Sequence, residues 1–189
     1  KDFAIYHIIR QLFCQTHVNL KNSIMCLVIR KATLEDAELI ARAISDGVHG
    51  NPPAAVFLQH VISEGTLYHV SNVHIAELNG VPVGCINSYD GDDFEAMFHN
   101  TWHHAFIPQA KPGEYHIDTV WVDEHHRRHG YGSQLCEFAM NLRGNKNQVT
   151  LTVGRNEEGN IAFYHRLGFK IIDEQPSRAS GYYLMRKEF

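Results

Sequence analysis

No stretch of the chain comes near the roughly 18 consecutive apolar residues that a membrane-crossing helix requires, and none is expected in these 189 residues. An excess of one charge is missing too. Lysine and arginine total 17 against 21 aspartates and glutamates, a net −4 with the histidines neutral. That mildly acidic balance gives no bulk attraction to nucleic acid or to an anionic membrane, so neither is expected as a partner. The four cysteines, Cys14, Cys26, Cys85 and Cys136, contain no C-x-x-C pair, which argues against a zinc ribbon or a thioredoxin-type centre. Scattered thiols in a chain of this length read as the reduced cysteines of a cytoplasmic protein. Ile5–Cys14 is interrupted by His7 and Arg10 and is too short for the apolar core of a signal peptide. Low-complexity tracts and internal repeats are also absent. What is present is enough sequence for one domain with a full core.

The first 24 residues stand apart. Lys1, Arg10 and Lys21 against Asp2 give them a positive balance, and Ile5, Ile8, Ile9, Leu12 and Phe13 recur at helical spacing. Residues 1–24 are read as an N-terminal extension with a helical pattern, before a domain over 25–189. Either Met25 opens the working domain, or the leader is an added helix that packs on the core or on a second subunit.

From Cys26 the elements alternate. Cys26–Arg30 predicts a strand, and Thr33-Leu34-Glu35-Asp36 resembles a capping box opening a helix through Ser45. A second helix is expected over Ala54–Ser63. Val70–Leu78 and Val81–Ser88 read as strands joined by Asn79-Gly80, a strong hairpin signal. Asp90–Pro112 is a polar, aromatic insertion with a short helix. Then come a strand Tyr115–Val122, a helix Ser133–Leu142, a strand Val149–Val153, a helix Gly159–Leu167 and strands Phe169–Ile172 and Tyr182–Arg186. This order predicts an α/β (α+β) fold with a mixed, mainly antiparallel sheet flanked by helices.

The stretch Val120-Trp121-Val122-Asp123-Glu124-His125-His126-Arg127-Arg128-His129-Gly130-Tyr131-Gly132-Ser133 carries the most information. A strand ends, a basic loop carries two close glycines, and a helix begins. Such a turn can gather backbone N–H groups into a phosphate-binding nest, with Arg127 and Arg128 adding charge. No lysine follows the glycines as a Walker A loop requires. Position 135 is Leu135, where a dinucleotide fingerprint needs glycine. The histidines of this loop read as solvated or phosphate-facing.

The pattern R-x-x-G-x-G, Arg127 to Gly132, resembles the acetyl-CoA-binding motif of the GNAT superfamily of N-acyltransferases. Asn156-Glu157-Glu158-Gly159-Asn160-Ile161-Ala162-Phe163-Tyr164-His165-Arg166-Leu167-Gly168-Phe169 is similar to its second signature, and Val28–Asp36 to its opening strand and helix. The resemblance covers Cys26 to Phe189. It implies that acetyl-CoA is the acyl-donor cosubstrate. Its contacts would come from Val120, Trp121 and Val122, from Arg127, Arg128, His129, Gly130, Tyr131, Gly132 and Ser133, and from Asn156 or Asn160. The last two are alternatives because Glu157 stands where an asparagine is common. The resemblance implies that Tyr164 hydrogen-bonds or protonates the leaving sulfur; otherwise it is a packing tyrosine.

Acetyl transfer to an alkylamine needs a route for a proton, since an ammonium of pKa near 10.4 resists deprotonation at pH 7 by roughly 4–5 kcal/mol. Strict alternation along Tyr115–Val122 puts Glu114, His116, Asp118, Val120 and Val122 on one face, and Tyr115, Ile117, Thr119 and Trp121 on the other. His116 and Asp118 match strand positions where superfamily members place a base, and either could serve. Asp90, Asp92 and Asp93 open the insertion and could attract a cationic amine, or could form a solvated loop. His99, His103 and His104 have helical spacing, but no carboxylate or cysteine completes a set, so no metal is expected. The expected function is acetyl transfer to a primary amine, on a small molecule or a peptide, by direct attack in a ternary complex. A non-catalytic acyl-CoA-binding or regulatory module is the alternative, and the resemblance allows a homodimer.

Overall fold

Seven strands form one sheet in the order β1-β2-β3-β4-β5-β7-β6: β1 Leu27–Lys31, β2 Val73–Leu78, β3 Val81–Asp90, β4 Tyr115–Val122, β5 Gln148–Gly154, β6 Lys170–Asp173 and β7 Tyr182–Glu188. The computed structural model describes residues 27–48, 50, 52–101, 110–173 and 181–189. The expected leader helix, Met25, Cys14, Cys26, His103 and His104 lie outside the described residues. Within the sheet β4–β5 is the one parallel pair, and all other neighbours run antiparallel. Asn79 (φ 53°) and Gly80 (φ 81°) turn β2 into β3. Two successive residues at positive φ match the right-handed twist of a hairpin, which is why Asn-Gly is favoured there.

Helices cover both faces. On one, α1 (Ala37–Gly47) buries Ile40, Ala41 and Ile44, and α2 (Ala55–Ile62) buries Phe57 and Val61. They share a core with Leu67, Tyr68, Ile75, Cys85 and Trp121. Against the other face, Leu135, Cys136 and Ala139 of α4 (Tyr131–Asn141) and Ile161 and Tyr164 of α5 (Glu158–Arg166) pack on Ile86, Ile117, Leu151 and Met185. A short α3, Phe94–Phe98, lies in the insertion. Most boundaries shift by a residue or two from the sequence reading, and two of the shifts have a clear local cause. Val70–Asn72 is a 3₁₀ turn, so β2 starts at Val73. The fourth helix opens at Tyr131 because Gly130, in the left-handed region, already serves as its N-cap.

Two irregularities in β4 shape the rest. Its pairing with β5 covers only Tyr115↔Val149, His116↔Thr150 and Ile117↔Leu151. From Asp118 onward the β5-side edge of β4 has no strand partner among the described residues, and the sheet forks. The second irregularity is a bulge. Across to β3, Asn87 faces Thr119 while Ser88 faces Ile117, so Asp118 is the extra residue. A bulge resets the alternation by one residue. Tyr115 and Ile117 pack with the α4–α5 core, and beyond the bulge Val120 and Val122 join that same core, while Trp121 packs with the α1 core. The expectation that Val120 and Val122 share a face with His116 is thereby corrected.

Candidate active site

The fork opens a cavity of about 510 Å³. Asp118, Thr119, Val120, Trp121 and Val122 line it from β4, and Thr152, Val153 and Gly154 from β5. Ala43, Ile44 and Asp46 of α1 and Tyr68 approach from one face of the sheet; Arg127 and, on α5, Asn160 and Tyr164 approach from the other. The cavity therefore passes through the sheet, with its two sides formed by different helices.

Asp118 stands where the strands part. Thr119 Oγ1 donates to its Oδ2 at 2.8 Å. Burial raises its carboxyl above the ordinary carboxylate value, and hydrogen bonds from Thr119 and Asn87 partly oppose that rise. Tyr164, on α5, lies within the field of Asp118. Burial, followed by the charges of Cys136, Glu157 and Asp118, pushes its phenol well up, so it stays a hydrogen-bond donor across the physiological range. The cavity thus holds a carboxylate with a heightened affinity for protons, and a phenol that keeps its own.

Beyond β4 the chain makes a tight basic turn. Asp123 Oδ1 accepts from His125 N at 3.1 Å, and Arg127 Nε donates to Val122 O at 2.9 Å. His129 Nδ1 lies 2.8 Å from Arg127 O, and Arg128 takes φ 67°. Gly130 has φ 81°, and a Cβ placed there would meet nothing within 4 Å. The first helical hydrogen bond of α4 runs from Gln134 N to Gly130 O. The N–H groups of Tyr131, Gly132 and Ser133 precede it and have no intrahelical acceptor. Backbone donors at a helix N-terminus, open space before them and arginines beside them suit an anionic phosphate.

The sequence profile of the Acetyltransferase (GNAT) family matches residues 37–169, spanning α1 through the turn after α5. The chain belongs to this family. Solved GNAT-type structures superpose on nearly the whole of the described fold. An N-acetyltransferase from Staphylococcus aureus gives a TM-score of 0.68 at 17% identity, covering 85% of this chain and 100% of that one. The PaiA N-acetyltransferase from Thermoplasma acidophilum, solved in complex with coenzyme A, gives 0.62 at 16% identity over 87% and 100%. The NatC complex bound to Gag peptide and CoA gives 0.58 at 15% identity over 87% and 99%. No curated protein matches the chain significantly.

Against this GNAT frame the expected site residues separate into two groups. Asp118, Val120, Trp121, Val122, Arg127, Asn160 and Tyr164 all line the cavity, whereas Arg128, His129, Gly130, Tyr131, Gly132 and Ser133 of the basic turn do not. Asn156 is exposed and does not, while Asn160 Nδ2 donates to Glu157 Oε2 at 2.6 Å. Asp90 and Asp92 lie elsewhere. Both pair with Lys146, and Asp92 accepts from Gly113 N at 2.7 Å, so they tie the insertion to the α4–β5 connection. Asp93 is exposed beside them. The sequence reading missed Asp46, Tyr68, Glu157 and Tyr182, which line the cavity. Asp46, Tyr68 and Tyr182 come from a helix end, a loop and a strand start with no motif, Glu157 stands in the second signature where an asparagine is common, and only the three-dimensional path of the fork collects them.

His116 is buried at 1% exposure and is not among the lining residues. Its Nδ1 lies 2.9 Å from Thr150 Oγ1, and Thr150 Oγ1 donates to Glu114 Oε2 at 3.3 Å. That chain puts the imidazole proton on Nδ1 and leaves Nε2 without a partner among the described residues. Burial lowers the His116 pKa from 6.5 to about 4. As pH falls the unfolded chain binds this proton first, so stability is full above about pH 6.5 and declines toward pH 4. Between pH 7 and 5 the wild type should lose about 2 kcal/mol more unfolding free energy than His116→Gln, which has no imidazole to protonate. Urea unfolding at the two pH values checks this; equal losses would contradict it.

Proposed function

We propose that this protein transfers an acetyl group from acetyl-CoA to a primary amine by direct attack within a ternary complex. The observation that carries the reading is the cavity through the forked sheet, with a phosphate-compatible helix N-terminus on one side and Asp118 and Tyr164 at the fork. The GNAT membership and the likeness to proteins solved with coenzyme A support the choice of donor. Bound in the cleft, acetyl-CoA supplies an activated acetyl group as a thioester. Phosphates would sit against the N–H groups of Tyr131, Gly132 and Ser133, with Arg127, Arg128 and His129 at hand. The free edge of β4 at Val120–Val122 suits the amide-bearing arm, with Asn160 or the exposed Asn156 beside it. Apart from Val122 O, which accepts from Arg127, strand-edge groups there favour such a partner over leaving their hydrogen bonds unmade.

Asp118 accepts the proton of the incoming ammonium, a role that its raised pKa favours. Tyr164 donates toward the departing sulfur. His116, neutral and buried, holds β4 against β5 through Thr150 and keeps the base of the fork closed. Burial pushes the thiols of Cys85 and Cys136 up to about 12, and neither lines the cavity, which supports attack by the amine itself over an acyl-cysteine. Initial rates at varied concentrations of both substrates test this: intersecting lines fit a ternary complex, and parallel lines would point to a covalent acyl-enzyme. We take the catalytic domain as residues 25–189 and the setting as cytoplasmic, which the free thiols of Cys85 and Cys136 support.

Tyr164→Phe removes one hydroxyl and little volume. Because coenzyme A is already an acceptable leaving group, kcat should fall by about tenfold, the worth of one good hydrogen bond. Affinity for coenzyme A and thermal stability should stay near wild type. An equal loss of stability and rate would mark Tyr164 as a packing residue only.

A further inference from the structure

The two sides of the cavity differ in charge. Toward α1 the charged lining residues are Asp46 and Asp118, while on the opposite side the lining charges are Arg127, from the turn, and Glu157, at the start of α5. Tyr183 and Met185 pack with the α4–α5 core, so alternation turns Tyr182 toward the α1 side, where it joins Tyr68 and Trp121. Asp46 is exposed in the last turn of α1, yet its carboxylate is fixed. Trp121 Nε1 donates to Asp46 Oδ2 at 2.9 Å, and Arg42 lies over the Trp121 ring at 5.4 Å without lining the cavity.

Tyr68 supplies the second observation. Only 6% of it is exposed, it lines the cavity, and its hydroxyl has no hydrogen bond among the described residues. Burial, and after it the charge of Asp118, raises the pKa of its phenol. A hydroxyl that the cavity reaches, on an otherwise buried tyrosine and with no partner among the described residues, calls for a ligand group that can donate to it. A protonated amine meets that need, and the surrounding rings favour a cation over an anion.

We infer that the acceptor is a small diamine. One ammonium docks between Asp118 and the Tyr68 hydroxyl, and a second positive charge is held at the rim by Asp46. This deepens the acetyl-transfer reading and rests on it. Two carboxylates with no cation between them disfavour a substrate that carries its own carboxylate. A peptide N-terminus has no fixed second charge to offer Asp46.

The test uses 1,5-diaminopentane, pentylamine and 5-aminopentanoate, three ligands of matched length. Their binding to the protein saturated with coenzyme A is measured by calorimetry, and turnover with acetyl-CoA is followed alongside. The diamine should bind about fivefold more tightly than pentylamine, the upper range for an exposed ion pair, and 5-aminopentanoate most weakly. Asp46→Asn keeps an acceptor for Trp121 but loses the charge, so the diamine advantage should vanish. Tyr68→Phe should weaken the diamine and pentylamine alike by about tenfold, the worth of a hydrogen bond to a charged group, with the melting shift caused by coenzyme A retained. Equal affinities in the wild type, or an advantage that survives Asp46→Asn, would overturn the inference. Diamine-selective binding without turnover of any amine overturns the transfer reading and, with it, the role of acceptor, leaving only a diamine-binding site. Turnover of pentylamine as efficiently as the diamine overturns the inference and leaves the transfer reading standing.

Discussion

Asp118→Asn should lower kcat by about 10²-fold while coenzyme A still binds, because the side chain keeps its shape and loses its affinity for a proton. The pH profile gives the sharper signature. A base works when deprotonated, so wild-type kcat/KM should rise with pH along a limb set by Asp118. Burial places that limb above the ordinary carboxylate value of 3.8, and it should still lie well below the amine's own pKa. In Asp118→Asn that limb should be gone. His116→Gln should keep it, since the imidazole lies outside the cavity and is already neutral above about pH 4. A normal rate and an unchanged limb in Asp118→Asn would remove it as the proton acceptor. A limb lost in His116→Gln would return the role to the imidazole, acting through its Nε2, unpartnered among the described residues.

The second large effect is expected at Gly130. With φ 81° and open space around the Cβ position, Gly130→Asp introduces left-handed strain of about 1 kcal/mol and no clash. The free protein should therefore lose only about 2–4 °C in Tm. The new carboxylate, however, stands where the helix N-terminus and arginines would receive phosphate. At about 100 times its Kd, coenzyme A should stabilise the wild type by about 2.7 kcal/mol, roughly 5–10 °C. In Gly130→Asp that shift should disappear. Gly130→Asn carries the same backbone strain without the charge and should keep much of the shift. Loss in both variants would assign the effect to backbone geometry, and retention in both would move the phosphate site elsewhere.

How far the sequence reveals this protein depends on whether a feature is local. Turn chemistry is local, so Asn79-Gly80 and the Arg127–Gly132 loop are legible directly, and the alternating elements lead to the right sheet. The reading of β4 fails at one residue. Period-two alternation assumes an unbroken ladder, and the bulge at Asp118 breaks it, so Val120 and Val122 pass to the other face. Nothing in His-Ile-Asp-Thr-Val announces a bulge, because it follows from pairing with β3. Asp46, Tyr68 and Tyr182 were invisible for a related reason. Each is ordinary in its own segment, and they meet only because β4 and β5 separate after three residue pairs. The acidic run from Asp90 was legible as charge, but its partner Lys146 lies 54 residues on from Asp92, too far for local pattern to reveal.

The most direct test of the central claim is isotope transfer. The protein is incubated with acetyl-CoA labelled in its acetyl group and a mixture of amines, and the products are read by mass spectrometry. Labelled N-acetyl product should form in step with free coenzyme A, and should fall by about 10²-fold with Asp118→Asn. Tight binding of acetyl-CoA with no label on any amine would contradict the claim, and would make the forked cleft an acyl-CoA-binding site without transfer.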